Sequence, residues 1–167
     1  MSIAVGDKAP DFTLESTQGE RVALADLLAR AKHSVVVFFY PKDDTPGCTA
    51  EACGFRDLHE EFARAGADVV GISSDSADSH RRFAGKHGLP MKLLSDPDGR
   101  VRRLYGVKAT LGILPGRETF VLDRRGVVRH RFASQLRVGS HVQQALAVVR
   151  QIAGEAHAGD EAATGAR

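Results

Sequence analysis

SVVVFFYPKDDTPGC, residues 34–48, predicts a buried strand that leads within a few residues into a helix. The apolar run 34–40 has the length and the β-branched and aromatic content of a strand covered on both faces. Thr45-Pro46-Gly47 is typical of a helix start, because proline is favoured at the first helical position. Cys48 then lies in the first turn, where the helix dipole and unpaired backbone N–H groups favour the thiolate. The stretch therefore predicts a nucleophilic cysteine beside a central strand.

Strand-like and helix-like segments alternate on both sides of this stretch. The predicted strands cover 12–14 and 21–24 as a hairpin, 68–73 parallel to the first strand, 92–94, and 118–123 with 127–132 as a second hairpin; the predicted helices cover 76–87, 101–105 and a last segment from Ser140. Helices between strands, followed by a hairpin, predict an α/β domain with a mixed central sheet flanked by helices. Residues 1–153 are expected to form this single domain. The Ala, Gly and charged residues of 154–167 predict a disordered tail.

Composition excludes several classes of function. A chain of 167 residues that is 43% hydrophobic can bury the core of one domain. The net charge is only +2, aromatic residues are few and tryptophan is absent, so nucleic acid is not expected as a partner. No apolar run reaches bilayer length and residues 1–8 lack a signal-peptide pattern, which predicts a cytoplasmic protein without a membrane partner. No glycine-rich nucleotide motif is present, so no cofactor is expected.

Cys48 and Cys53 are the only cysteines, and their spacing limits their chemistry. In a regular helix, residues five apart have Cα atoms roughly 8 to 9 Å apart, whereas a disulfide needs about 7 Å or less. The two cysteines can therefore bond only if the helix unwinds. A first step that uses one thiol, such as oxidation to a sulfenic acid, fits this spacing better than direct dithiol exchange. A zinc site formed with His59 lacks the usual ligand spacing, so no metal is expected.

The segment resembles a known family of enzymes. Pro41-x-x-x-Thr45-x-x-Cys48 matches the active-site motif of peroxiredoxins, and the second cysteine five residues later is similar to the peroxiredoxin Q group, also called bacterioferritin comigratory protein. The resemblance extends from residues 6–12 to residues 116–123. It implies a thioredoxin-like fold with an N-terminal β-hairpin extension. It also implies thiol peroxidase activity on hydrogen peroxide and organic hydroperoxides, with reduction by thioredoxin or a similar dithiol donor.

The same resemblance implies roles for the two cysteines and for one arginine. Cys48 becomes the peroxidatic cysteine, and Cys53 becomes the resolving cysteine that forms an intrachain disulfide with it. Arg117 supplies a permanent cation near the thiolate and binds the substrate. Because resolution within one chain needs no second subunit, a monomer is expected, with a weak homodimer as the alternative. A redox-responsive interaction protein that uses the same cysteine switch is the alternative function.

The resemblance also implies roles for residues that enter the helix. Thr45 and Gly47 are expected to bind the substrate, and Pro41 is expected to shield the site from water. Thr45 has an alternative role as an ordinary helix N-cap before Pro46, and the two roles are compatible. Glu51 and Arg56 are expected to form a solvated pair on the helix.

Other polar residues are predicted at the surface. The paired arginines, which include Arg102-Arg103, are expected on solvated faces or turns. Five histidines have polar or turn-like neighbours that predict surface positions, and they are His33, His80, His87, His130 and His141.

Overall fold

A computed structural model of the chain describes residues 3–165, except the side chains at positions 163 and 164. Its strands are β1 (Thr13–Ser16), β2 (Arg21–Ala23), β3 (Ser34–Phe39), β4 (Ala67–Ser73), β5 (Lys92–Ser95), β6 (Glu118–Asp123) and β7 (Val128–Ala133). Its helices are α1 (Leu24–Arg30), α2 (Pro46–Asp57), α3 (His59–Arg64), α4 (Ala77–His87), α5 (Arg100–Leu104) and α6 (Val138–Thr164). The predicted strands and helices are all present, with ends shifted by a few residues. Helices α1 and α3 are additions that the sequence analysis did not predict.

The strands form one mixed sheet in the order β2-β1-β5-β4-β3-β6-β7. Strand β3 is an interior strand that lies next to the middle strand β4, parallel to β4 and antiparallel to β6. Strands β1 and β2 form the predicted N-terminal hairpin, and β6 and β7 form the second one. This arrangement confirms the predicted α/β class with a mixed sheet.

Alternate residues of β3 face two separate cores, because successive side chains of a strand point to opposite faces. Val35, Val37 and Phe39 lie in the core that also holds α1 and α5 residues. Val36 and Phe38 lie in the core that holds residues of α2, α3, α4 and α6, Cys48 among them. The sheet is therefore the middle of three layers. All six β3 residues are buried, as the unbroken apolar run predicts.

Helix α6 continues to Thr164, where the composition predicts a disordered tail from position 154 onwards. The alanines of this segment have the highest intrinsic helix propensity, and they extend a helix that is already anchored in the core. Glu155 adds an ion pair with Arg129 of β7, at 2.6 Å. The prediction of a disordered tail is corrected accordingly for residues up to 164, and residues 166–167 lie outside the described part.

Candidate active site

Cys48 is the third residue of α2 and is almost completely buried, at 1% exposure. The helix begins at Pro46 after an extended Thr45, so the predicted first-turn position is confirmed. A short loop, residues 40–45, connects β3 to the start of this helix. Strand β3 therefore fixes where the sulfur lies, in the first turn of α2, where backbone N–H groups have no carbonyl partner within the helix.

Arg117 donates a hydrogen bond from Nη2 to the Cys48 sulfur, at 3.3 Å. It directly precedes β6, and β6 pairs with β3 in a register that sets Glu118 opposite Phe39. The β3–β6 pairing thus brings together two residues that are far apart in sequence. Arg117 is 6% exposed, so its positive charge acts on the sulfur with little screening by water. This geometry places a permanent positive charge against the Cys48 sulfur.

Gly47 leaves room for that guanidinium. A Cβ atom added at Gly47 would lie 2.9 Å from Arg117 Nη2, which is closer than real Cβ contacts allow. Any larger residue at this position must displace the Arg117 side chain from its contact with Cys48.

Glu51 holds the other side of the Arg117 guanidinium. Arg117 Nη1 donates to Glu51 Oε1 at 3.1 Å, and Glu51 is fully buried. The predicted solvated pair of Glu51 with Arg56 is therefore wrong, since Arg56 instead binds the carbonyl of His87 and the carboxylate of Asp57. The signal was present in the sequence, because Glu51 follows Cys48 by three residues and such residues share a helix face.

Burial and charge perturb the titration of this cluster. Burial raises the pKa of the Glu51 carboxyl to about 7, although the Arg117 guanidinium acts in the opposite direction. Glu51 Oε2 lies 3.5 Å from Nδ1 of His141, and it has no hydrogen-bond partner among the described residues. Glu51 is therefore expected to gain and lose its proton near neutral pH.

His141 is completely buried and closes the cluster on the α6 side. Its Nε2 faces the carbonyl of Ser134 at 2.7 Å and must donate, so Nδ1 of the neutral ring accepts from the Thr119 hydroxyl at 2.8 Å. Burial lowers the pKa of His141 to about 4, with a smaller contribution from the Arg117 cation. The predicted surface position of His141 is wrong, because polar sequence neighbours do not reveal that one face of α6 packs on the sheet.

The loop that enters α2 is fastened to α4. Asp43 is buried and accepts from the Tyr40 hydroxyl at 2.6 Å, and its other oxygen lies 2.7 Å from Nδ1 of His80. His80 is completely buried, so its predicted surface position is also wrong. Asp44, which follows Asp43, adopts a left-handed φ of 57° and forms an ion pair with Lys86 at 3.0 Å. These contacts fix the loop conformation on which Pro41 and Thr45 lie.

Thr45 and Pro41 are both half-buried on this loop. The Thr45 hydroxyl donates to the carbonyl of Lys42 at 2.8 Å and makes no capping bond to the helix. The ordinary N-cap role is therefore not realised in this structure. The hydroxyl oxygen retains its capacity to accept a hydrogen bond from another group.

Cys53 lies in the same unbroken helix as Cys48, is half-buried, and forms no disulfide. The two residues of α2 that directly follow Cys53 pack against other elements. Phe55 stacks on Phe38 with ring centroids 4.6 Å apart, and Gly54 lies against Val142 of α6. A bond between the cysteines consequently requires rearrangement of the segment 48–53.

Among residues 3–165, no helix combines the length and the apolar character needed to cross a bilayer.

Comparison with known proteins identifies the family of this fold and site. Residues 5–131 match the AhpC/TSA family. Peroxiredoxin Q of rice (Oryza sativa subsp. japonica), named chloroplastic, is 46% identical over 151 residues, which are 90% of this chain and 68% of the rice protein. Peroxiredoxin Q of Sedum lineare, also named chloroplastic, is 46% identical over 90% of this chain and 80% of its own length.

Solved structures agree with this match. Peroxidoxin BcpB of Mycobacterium tuberculosis superimposes with a TM-score of 0.81 at 42% identity, covering 89% of this chain and 97% of that protein. A bacterioferritin comigratory protein of Xanthomonas campestris, whose structures concern alkyl peroxide reduction, superimposes with a TM-score of 0.76 at 34% identity, covering 85% of this chain and 92% of its own.

The chain therefore belongs to the AhpC/TSA family of peroxiredoxins. Within that family it falls in the peroxiredoxin Q or bacterioferritin comigratory protein group, with the thioredoxin-like fold that the sequence predicts. It is a thiol peroxidase, an oxidoreductase that acts on peroxides at the expense of a thiol reductant. The predicted cytoplasmic location is wrong by this comparison, because the relatives from rice and Sedum are named chloroplastic. Composition could not predict the location, because the charge and hydropathy of a folded domain do not encode the compartment in which it resides.

Proposed function

We propose that Cys48 is the peroxidatic cysteine of this thiol peroxidase and that Cys53 resolves its oxidised form within the same chain. The contact of Arg117 Nη2 with the Cys48 sulfur, at 3.3 Å, is the observation that carries this proposal. No other described side chain donates a hydrogen bond to that sulfur. A buried thiol with a permanently charged guanidinium as its partner is a typical activated nucleophile.

In the first step, the Cys48 thiolate attacks the terminal oxygen of a hydroperoxide. The S–O bond forms as the O–O bond breaks, which leaves a sulfenic acid on Cys48 and an alkoxide or hydroxide that takes up a proton as it leaves. Arg117 is placed to stabilise the negative charge that develops on the leaving oxygen. Its Nε is buried without a hydrogen-bond partner among the described residues, so a donor is available there for a peroxide oxygen.

Thr45, Gly47 and Pro41 surround the sulfur on its loop side in this proposal. The Thr45 hydroxyl accepts a hydrogen bond from the substrate O–H, while Gly47 lets Arg117 pass close to the helix backbone. Pro41 covers the site against water and contributes no N–H of its own.

In the second step, the Cys53 thiol attacks the Cys48 sulfenic sulfur, forming the disulfide and releasing water. Because both cysteines lie in the intact helix α2, this step includes unwinding of the segment 48–53. A dithiol protein such as thioredoxin then reduces the disulfide by thiol–disulfide exchange, and the helix reforms. No second subunit takes part, so we propose that the monomer is catalytically complete.

Organic hydroperoxides are proposed as substrates together with hydrogen peroxide. A cavity of about 840 Å³ adjoins Arg117 and is bordered by Leu114 and Leu136. Leu136 is 93% exposed, and the neighbouring Leu111 and Ile113 are similarly open. An apolar substituent on the peroxide has a surface to contact there, and burial of such a group stabilises binding by roughly 25 cal/mol per Å² of apolar area.

Peroxide consumption coupled to a thioredoxin system tests the proposal on wild type, Cys48→Ser and Cys53→Ser, with hydrogen peroxide and cumene hydroperoxide. We expect Cys48→Ser to abolish turnover. Cys53→Ser should still react once with peroxide and then recycle slowly. Turnover by Cys48→Ser at the wild-type rate would refute the assignment of the nucleophile, and unchanged recycling by Cys53→Ser would remove Cys53 from the reaction.

Amide hydrogen exchange tests the unwinding step separately. Residues 47–56 should exchange faster in the disulfide form than in the reduced form, because the helix cannot hold both cysteines at bonding distance. Equal protection in both redox states would contradict this step and leave the peroxidatic role of Cys48 untouched.

A further inference from the structure

Arg102 is a buried arginine outside the Cys48 cluster, although its sequence context predicts a solvated position. It is 8% exposed and lies in the short helix α5, on the opposite side of the sheet from α2. Its Nη2 donates to the carbonyl of Tyr40 at 2.7 Å, and its Nη1 donates to the carbonyl of Gly116 at 2.5 Å. The predicted surface role of Arg102 is therefore wrong.

The two carbonyls that Arg102 binds directly precede two residues of the proposed site. Tyr40 is followed by Pro41, and Gly116 is followed by Arg117. The β3–β6 ladder ends at the pair Phe39 and Glu118, one residue before Tyr40 and two residues after Gly116. Beyond that pair, the Arg102 guanidinium connects the two chain segments through its bonds to the two carbonyls.

A guanidinium is suited to this task in a way that an ammonium is not. Its N–H groups are held in a rigid planar fork, so two carbonyls are bound at once in a fixed relative position. The side chain is itself constrained, because its guanidinium lies 5.7 Å from the centroid of the Phe39 ring. The backbone N–H of Arg102 also donates to Asp96 at 3.0 Å, which fixes the start of α5.

We infer that Arg102 is a positioning residue for the peroxidase reaction, setting the distance between the Pro41 loop and Arg117 through the carbonyls of Tyr40 and Gly116. It touches neither the sulfur nor the substrate. The inference rests on the proposed roles of Pro41, Cys48 and Arg117. Its physical basis is that misplacement of a reacting group by about 1 Å can slow an enzyme about a hundredfold.

Arg102 also adds positive charge to the surroundings of Cys48, so charge and position must be separated. Burial lowers the pKa of the Arg102 guanidinium, and the anions of Asp96 and Cys48 offset part of this effect. Arg102→Lys keeps the charge and loses the fork, whereas Arg102→Met loses both. Arg103→Lys is the matched control, because Arg103 is exposed on the same helix and its side chain donates, among the described residues, to the Asp98 carbonyl alone.

The experiment compares two reactions of Cys48 in the full chain. Stopped-flow kinetics give the second-order rate constant for hydrogen peroxide, and mass spectrometry follows alkylation of Cys48 by iodoacetamide, which needs the thiolate and not an aligned Arg117. For Arg102→Lys we expect peroxide reaction to be at least tenfold slower, because Arg117 is misaligned by about 1 Å. Alkylation should stay within about twofold of wild type, because the Arg117 charge remains close to the sulfur. Arg102→Met should slow both reactions, and Arg103→Lys should change neither.

Three results would overturn the inference. One is a peroxide rate for Arg102→Lys within twofold of wild type. Another is an equal loss in peroxide and alkylation rates, which would assign the effect to charge. The third is a failure of both Arg102 variants to fold, judged by circular dichroism, since the residue would then stabilise the whole domain instead of positioning the site. A wild-type protein that does not consume peroxide through Cys48 would instead refute the proposed function.

Discussion

Replacement of Glu51 by glutamine should change how the stability of the protein depends on pH. Glu51→Gln keeps the shape of the side chain and removes a carboxyl group that lies 3.1 Å from Arg117. Burial raises the pKa of that carboxyl to about 7, against about 4.5 for a solvated glutamate. The folded state therefore holds a proton between these two pH values that the unfolded state has already released.

The sign and size of the effect follow from proton linkage. Stability falls with rising pH wherever the folded state binds more protons, by about 1.4 kcal/mol per pH unit for one group. The contribution of Glu51 to the free energy of unfolding is fully present below about pH 4.5. It decreases by about 3 kcal/mol as pH rises through 7. The glutamine variant lacks this contribution to the slope.

Urea denaturation of the reduced protein between pH 4.5 and pH 8 measures this slope. The difference in unfolding free energy between Glu51→Gln and wild type should shift by about 3 kcal/mol in favour of the variant over that range. Glu60→Gln is the matched control, because the Glu60 side chain is 81% exposed and faces only Arg64. A pH-independent difference between Glu51→Gln and wild type would refute the reasoning about the buried carboxyl.

Three further substitutions test the structure around the sulfur. Gly47→Ala should slow the peroxide reaction about tenfold, because its Cβ would displace Arg117. It should not lower stability, because alanine favours the helix. A wild-type rate in stopped-flow assays would contradict this expectation. Thr45→Val should leave urea denaturation almost unchanged, because the hydroxyl caps no N–H group. It should reduce kcat/KM for peroxide at least tenfold. Unchanged kinetics would remove Thr45 from the site. Gly71→Ala should lower the free energy of unfolding by about 1 to 3 kcal/mol in urea titrations, since its Cβ would lie 2.6 Å from Phe38.

The elements of the fold were predictable because their patterns are local. The apolar run 34–40 identifies the central strand, and Thr45-Pro46-Gly47 identifies the start of the cysteine helix. The resemblance also assigned the contact of Arg117 with Cys48, which the structure contains. These inferences succeed because periodicity, turn residues and motif spacing are written in consecutive positions.

The polar residues behind the sulfur were not predictable in the same way. Glu51 is an exception, since its position three residues after Cys48 indicates a shared helix face. His80, Arg102 and His141 each have a polar sequence neighbour, and all three are buried. A single sequence does not reveal their burial, since charged residues are seldom fully buried and each of these has its partners on another element. The local sequence around each one is compatible with a solvated position.

The sequence by itself determined the α/β class, the cysteine in the first turn of a helix and the spacing that prevents Cys48 and Cys53 from bonding in that helix. The motif resemblance assigned Arg117 to the sulfur, and only the tertiary structure decided how that contact is made and what else surrounds the sulfur. It pairs β3 with β6, and this pairing sets Arg117 against Cys48, Glu51 against Arg117, and Arg102 beneath both segments. The physical reason is that backbone conformation is governed by near neighbours in the chain, whereas the charges around a buried thiol come from wherever the sheet register brings them.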